Sequence, residues 1–338
     1  MPVAGIDLHA TYLVVTIVSN EGSILQKPRR IRNSEADQLV ELLEAHKPLE
    51  VVVEASGMWP WLFDRLDGPE VQVVLAHPKR LRAIADSNYK TDAVDAELLA
   101  RMRLVDLIPE VFPKPPEQRE QATLVRHRAR LVRDRTAVLG RIHAELHSIG
   151  VTLPRGRLHT REGRTWLHTQ AWPLFGPQQR LLVQTHERLI DQLSMMIKGL
   201  DTKVRHVGRR IPAVQLLETI PGIGPFRALL IVTEVLPISR FKSPKHLVSY
   251  AGLAPRSSRS GQSVHYGSIP AGANRWLRGA FVQAALSHYR ATPDSWLSLF
   301  YEEKKERLGW RVARIAAARR LARATHAMLR TGQVWSKA

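Results

Sequence analysis

Cysteine is absent from this chain of 338 residues. Disulfides and thiolate metal sites are thereby excluded, and any bound metal must rely on oxygen or imidazole ligands. No run of 18 or more apolar residues occurs, so no membrane-spanning helix is expected. No secretory signal precedes the first strand pattern, which begins within a few residues of Met1. Together with the missing cysteine, this points to a cytoplasmic protein. Tandem repeats and low-complexity tracts are also lacking.

Negative charge is scarce over most of the chain. Residues 1–115 hold 13 Lys/Arg and 17 Asp/Glu, a net of −4, whereas residues 116–338 hold 37 and 14, a net of +23. The second part has the charge of a polyanion-binding surface. Nucleic acid fits it better than membrane, because no basic stretch carries a lipid-insertion face. Packing proteins of the ribosomal or histone kind are basic too, but an acidic region of this length is foreign to them. With 44% hydrophobic residues there is material for two or three cored domains.

The acidic part reads as α/β. Val3–Val18 is rich in β-branched residues and leads into the turn signal Ser19-Asn20-Glu21-Gly22, and Ile24–Ile31 continues the sheet. A helix follows Ser34, and Glu50–Glu54 is a short buried strand. Helical patterns then cover Trp59–Leu66 and Pro78–Ile84, with Val71–Leu75 a strand between them. Four carboxylates stand out. Asp7 and Glu54 sit in apolar strands, where an acid is costly unless it is paired or metal-bound. Asp92 and Asp95, in Lys90-Thr91-Asp92-Ala93-Val94-Asp95, lie three apart at a helix start and so on one face. Taken alone, the last two are ordinary first-turn acids behind a Thr91 cap. As a set of four, they are hard oxygen donors suited to Mg²⁺, and a metal pair can clamp the attacking and leaving oxygens of a phosphoryl transfer.

Pro109, Pro113, Pro115 and Pro116 read as a stiff linker. Leu124, Leu131, Val138, Ile142, Leu146 and Ile149 then recur at heptad-like spacing. A second such helix over 178–208 carries Leu182, Leu189, Leu193, Met196 and Leu200. The pair suggests an antiparallel hairpin or a dimerisation arm. Arg126, Arg128, Arg130, Arg133, Arg135 and Arg141 fall within sixteen positions with only Asp134 among them, which favours phosphate contacts. His143 and His147 have metal-ligand spacing but no third ligand nearby, and read as helix-face residues.

Ile220-Pro221-Gly222-Ile223-Gly224-Pro225 before an apolar helix has the form of a helix-hairpin-helix turn, whose N–H groups hold a phosphate without reading sequence. A Gly-flanked basic loop follows, with Arg256, Ser257, Ser258, Arg259, Ser260 and Gly261, and then Arg275 and Arg278 opening a helix. Serines there are ordinary turn residues, yet arginines around one can orient a scissile phosphate and stabilise an alkoxide. Trp296 to about Arg330 reads as one basic helix, with Ala316–Ala318 and Leu321 as its packing face.

The ordered set Gly5-Ile6-Asp7, Glu54-Ala55-Ser56-Gly57, Lys90-Thr91-Asp92-x-x-Asp95-Ala96, Ile220-Pro221-Gly222-Ile223-Gly224 and Gly252-Leu253-Ala254-Pro255-x4-Ser260-Gly261 resembles insertion-sequence family one-ten transposases, also described as bridge-RNA-guided serine recombinases. The resemblance covers nearly the whole chain. It implies an N-terminal RuvC-like domain of the ribonuclease H superfamily (residues 1–110), a linker and coiled-coil middle (111–210) and a mostly α transposase domain with a helix-hairpin-helix (211–338). It places the Mg²⁺-binding catalytic tetrad on Asp7, Glu54, Asp92 and Asp95 and the nucleophile on Ser260, with Ser258 or Ser257 open as other registers. Gly222, Gly224, Arg126, Arg130, Arg133, Arg256, Arg259, Arg275 and Arg278 are the candidate nucleic-acid contacts. The resemblance further implies donor and target DNA, a noncoding guide RNA, and a homodimer or homotetramer in which acids and serine meet across subunits. Many relatives carry a lysine shortly after the position of Ile269, where this chain has Pro270-Ala271. Two other readings compete with recombination: a RuvC-like, structure-selective nuclease using metal-activated water, and a non-catalytic DNA-packing protein.

Overall fold

The structure is a computed structural model. It describes residues 1–82, 91–153, 158–255 and 272–336, together with the backbone of 257–260 and 263–266. The chain forms two compact units, divided between Lys114 and Pro115.

The first unit is built on a six-stranded sheet of β1 (Val3–Leu8), β2 (Tyr12–Val18), β3 (Ile24–Arg32), β4 (Leu49–Glu54), β5 (Val71–Ala76) and β6 (Glu110–Val111), in the order β3-β2-β1-β4-β5-β6. The hairpins β1–β2–β3 are antiparallel, β1–β4 and β4–β5 are parallel, and β6 closes the edge antiparallel. Helices α1 (Ala36–Glu44), α2 (Trp59–Leu66), α3 (Pro78–Leu81) and α4 (Asp92–Leu104) complete the unit. Alternation sorts the strand side chains onto two faces. Ile6, Val15, Val51 and Val53 meet Leu39 and Leu43 of α1 and Leu62 of α2 on one face. Val3, Val52 and Val74 meet Leu99, Ala100 and Met102 of α4 on the other. Gly5 lets α4 lie directly on β1: a Cβ there would sit 1.9 Å from the Ala96 carbonyl oxygen and 2.8 Å from the Ala100 nitrogen. This mixed sheet is compatible with the RuvC-like expectation.

The second unit is mostly helical, with α5 (Pro116–Ser148), α6 (Arg161–Trp166), α7 (Pro177–Gly208), α8 (Pro212–Glu218), α9 (Pro225–Val235), α10 (Pro244–Tyr250), α11 (Arg275–Ala291), α12 (Trp296–Leu308) and α13 (Trp310–Thr331). Helices α5 and α7 run antiparallel, tied at Arg128–Asp201, Arg135–Ser194 and Glu145–Gln179. Val138, Ile142 and Leu146 are buried against Val183, Ile190 and Leu193.

Here the expected register of α7 needs correction. Leu182, Leu189 and Met196 are exposed, and the buried stripe is Val183, Ile190, Ile197 and Val204, one residue further on. Both sets repeat every seven residues, so spacing alone could not separate them. Two further expectations change. The tail is two helices, broken at Gly309, not one. The serine segment forms a hairpin in place of a loop, with β7 (Ser257–Ser260) antiparallel to β8 (Ser263–Tyr266). A strand made of serines and an arginine offers no apolar alternation by which it could be recognised. Helices α8 to α13 enclose the larger core, centred on Leu229, Ile231, Phe281 and Leu321.

Candidate metal centre and nucleic-acid surface

In the parallel pairing of β1 and β4, Ile6 stands opposite Val53 and Gly5 opposite Val52. Asp7, next to last in β1, and Glu54, last in β4, follow Ile6 and Val53, so both strands carry a carboxylate near their ends on the face covered by α4. Helix α4 begins on that face. Thr91 caps it, its Oγ1 accepting from the Val94 N–H at 3.3 Å, and Asp92 and Asp95 occupy the first turn. The tight seat of α4 on Gly5 therefore sets how near the helix acids come to the strand acids.

His9 completes the closest group. Its Nε2 lies 2.9 Å from Asp7 Oδ2 and 3.4 Å from Asp92 Oδ1. Asp7, His9 and Asp92 offer ligand atoms all within 4.8 Å of one another, the one such group among the described residues; Glu54 and Asp95 fall outside it. Tyr12 O–H donates to Asp92 Oδ2 at 2.8 Å, its ring stacks on His9, and the Arg30 guanidinium lies 3.5 Å above that ring. Burial pushes the Asp7 carboxyl above its ordinary value; His9 opposes this, and Asp92 and Asp95 add to it. The hydrogen bond to Asp92 raises Tyr12. A partly buried carboxylate with a second one beside it gains from a cation, and two of them converging with an imidazole make a donor set suited to a divalent one.

His9 and Tyr12 were not singled out in the sequence. The signal for His9 was present: it lies two residues beyond Asp7, on the same side of the extended chain. Tyr12 reaches Asp92 from 80 residues away, and no local pattern reports that. His143 and His147 stand 6.3 Å apart by ring centroid on α5 and belong to no metal-binding group among the described residues.

The candidate nucleic-acid residues are placed unevenly. Arg133 is exposed, and Arg130 lies exposed near the Trp276 ring. Arg126 instead turns inward, its Nη2 2.5 Å and Nε 3.0 Å from Oε1 of the fully buried Glu234. Asn274 caps α11 and donates to the other Glu234 oxygen at 2.8 Å, so one carboxylate ties α5, α9 and α11 together. Gly222 has φ of +87°, and a Cβ there would stand 2.5 Å from the His288 nitrogen; the turn is pressed onto α11. Its carbonyl accepts from Arg227 at 3.0 Å. Gly224 and Arg275 are exposed, and Arg278 is half-buried. Arg256, and the side chains of Arg259 and of Ser257, Ser258 and Ser260, lie outside the described residues. The backbone places Ser260 at the end of β7, opposite Ser263.

These features define a class: an α/β unit with an acidic centre suited to a divalent cation, followed by a basic, mostly helical unit. Two family models match the two parts. Residues 4–151 match the DEDD transposase model of the IS110 group, and residues 214–302 match the model described as Transposase IS116/IS110/IS902 family. The transposase for insertion sequence element IS1328 of Yersinia enterocolitica is 26% identical over 335 residues, covering 98% of both chains. The transposase for element IS1111A of Coxiella burnetii is 26% identical over 331 residues, 97% of this chain and 89% of that one. A pilin gene-inverting protein of Moraxella bovis is 27% identical over 316 residues, 89% and 87% of the two chains. The chain belongs to the IS110 family of transposases, enzymes that cleave and rejoin DNA. No helix among the described residues is long and apolar enough to cross a membrane.

Proposed function

We propose that this protein is the recombinase of a mobile element, inserting and excising its DNA with Mg²⁺ at the acidic centre and a serine nucleophile. The observation that carries the reading is the meeting of Asp7 and Asp92 from a strand and a distant helix, within the part of the chain that matches a DEDD transposase. Asp7, Glu54, Asp92 and Asp95 would hold the metal, which supplies charge stabilisation at the scissile phosphate when bound. Tyr12 fixes one Asp92 oxygen by its hydrogen bond, and Arg30 over the Tyr12 ring holds the tyrosine in turn. Ser260 Oγ would attack the phosphorus, releasing the neighbouring strand end as a hydroxyl and leaving a phosphoserine link that conserves the bond for rejoining. A relative named for inverting a gene supports cutting that is coupled to rejoining. The net +23 beyond residue 115 supports a long polyanionic substrate, to which the family resemblance adds a noncoding guide RNA. The same resemblance supports a homodimer or homotetramer, acting in the cytoplasm, in which acids and serine come from different subunits.

The test is strand cleavage of the native element ends by Ser260→Ala and Asp92→Ala proteins, with capture of the covalent protein–DNA adduct. Recombination predicts that both variants lose cleavage and that only proteins with the serine form the adduct. Full cleavage by Ser260→Ala would replace recombination by a metal-dependent nuclease.

A further inference from the structure

A cavity of about 570 Å³ opens in the second unit among α5, α7, α9 and α11. Val132, Val204, Leu230 and Ala280 supply apolar walls, and Phe226 and Trp276 supply rings. Four arginines line it as well, Arg128, Arg205, Arg227 and Arg275, against a single carboxylate, Asp201. Asp201 is already engaged by Arg128 at 2.8 and 3.1 Å. Among the described residues the other three meet neutral partners or solvent: Arg227 donates to the Gly222 carbonyl, Arg205, itself exposed, donates to Thr202 Oγ1, and Arg275 is exposed at the start of α11. Burial, with Arg128 nearby, pushes the Arg227 guanidinium below its ordinary value. A half-buried guanidinium that meets only a carbonyl, as Arg227 does, is costly for packing alone and is offset by an anion in the cavity. Gly224, at the amino end of α9, lies on the same rim, so the positive end of that helix adds to the field.

The occupant such a site recognises has a flat, apolar-faced ring and an attached anion. Small-molecule sites span roughly 300–1,000 Å³, so the space suits one nucleotide and not a duplex. A base inside a duplex has both faces covered by its neighbours, whereas a ring-lined opening of this size takes a base out of the stack. We propose that this cavity holds one unpaired DNA nucleotide, its base against Trp276 and Phe226 and its flanking phosphates on Arg227, Arg275 and Arg205. The proposal rests on the DNA-recombinase reading and adds a strand feature that the enzyme would grip while the strands are open.

The test uses the full-length protein and fluorescence anisotropy with three probes: a DNA duplex of the element end, the same duplex with one unpaired 2-aminopurine nucleotide, and the RNA counterpart of the second. The unpaired DNA probe should bind about tenfold more tightly than the duplex, with 2-aminopurine emission quenched on binding by ring stacking. Trp276→Ala should bring the ratio of the two affinities close to one and restore emission, and Trp276→Phe should keep most of both effects. Arg275→Ala, at an exposed position that cannot unfold the core, should weaken binding of the unpaired probe and flatten its salt dependence. Equal affinity of the wild-type protein for duplex and unpaired probe, or quenching that survives Trp276→Ala, would overturn the cavity assignment and leave the recombinase reading intact. Tighter binding of the RNA probe would overturn DNA as the occupant. Failure to bind any of the three would instead count against the recombinase reading itself.

Discussion

The two units put charge to opposite uses. In the first, acids are brought together under cover: burial raises Asp7, and the nearby Asp92 and Asp95 add to it against the opposing His9. In the second, charges of one sign are spread along helices, and some are turned inward to meet a partner, as Arg126 meets Glu234. Acids gathered with one imidazole and one hydroxyl as their partners mark a place suited to a cation. Compensation inside the core marks structure, whatever the residue's type suggests. Arginine content therefore overstates the nucleic-acid surface of the second unit, while the acid count of the first understates how concentrated its chemistry is.

The contrast can be broken at several points, the strongest first. Asp7→Asn and Asp92→Asn should each lower strand cleavage by at least about 100-fold, since changes one shell further out already cost metal sites 10–100-fold. Calorimetry should show no loss of stability for Asp7→Asn, because the ionised carboxylate it removes is disfavoured by burial. In the second unit the balance inverts. Arg126→Ala removes the Arg126 guanidinium from the buried Glu234 carboxylate, which keeps Asn274, and should cost about 1–3 kcal/mol in denaturant unfolding. Arg133→Ala, exposed on the same helix, should stay within about 0.5 kcal/mol of wild type while lowering the salt slope of DNA binding by about 1.

Gly5→Ala joins stability to chemistry. The added methyl must displace α4, costing about 1–3 kcal/mol, and it should weaken Mn²⁺ or Mg²⁺ binding by titration calorimetry, because Asp92 and Asp95 move with the helix. Wild-type metal affinity in that variant would mean that the seat of α4 does not govern the centre. The smallest effect concerns acid. The hydrogen bond from Arg103 holds the Glu50 carboxyl below its ordinary value of 4.5. Its contribution is complete above that value and is lost as pH falls through the lower folded one. Glu50→Gln should flatten the decline in stability of the first unit below pH 4.5, as followed by circular dichroism.

Legibility also differed between the units. Five strands of the first unit were readable from their β-branched and apolar runs, while β6 lay within what read as the proline linker; the Thr91 cap and its two aspartates were readable from local chemistry alone. The face shared by Asp7 and Glu54 follows from a parallel register that no single strand encodes. In the second unit the long helices were plain, but the buried stripe of α7 was not: two heptad stripes lie side by side, and only packing against Val138, Ile142 and Leu146 selects Val183 and Ile190. The tail helix looked continuous because helical residues surround the one glycine that interrupts it.

By itself, then, the sequence determined most of the element types, the acidic–basic division and the family, because each is written in neighbouring residues or in motifs of fixed order. Tertiary structure decided which charges are solvent-facing and which are internal, that His9 and Tyr12 join the aspartates, and that arginines and two rings gather around one cavity. These are encounters between residues tens of positions apart. Their distances depend on how closely backbones approach, as α4 does at Gly5, and local pattern carries no record of that.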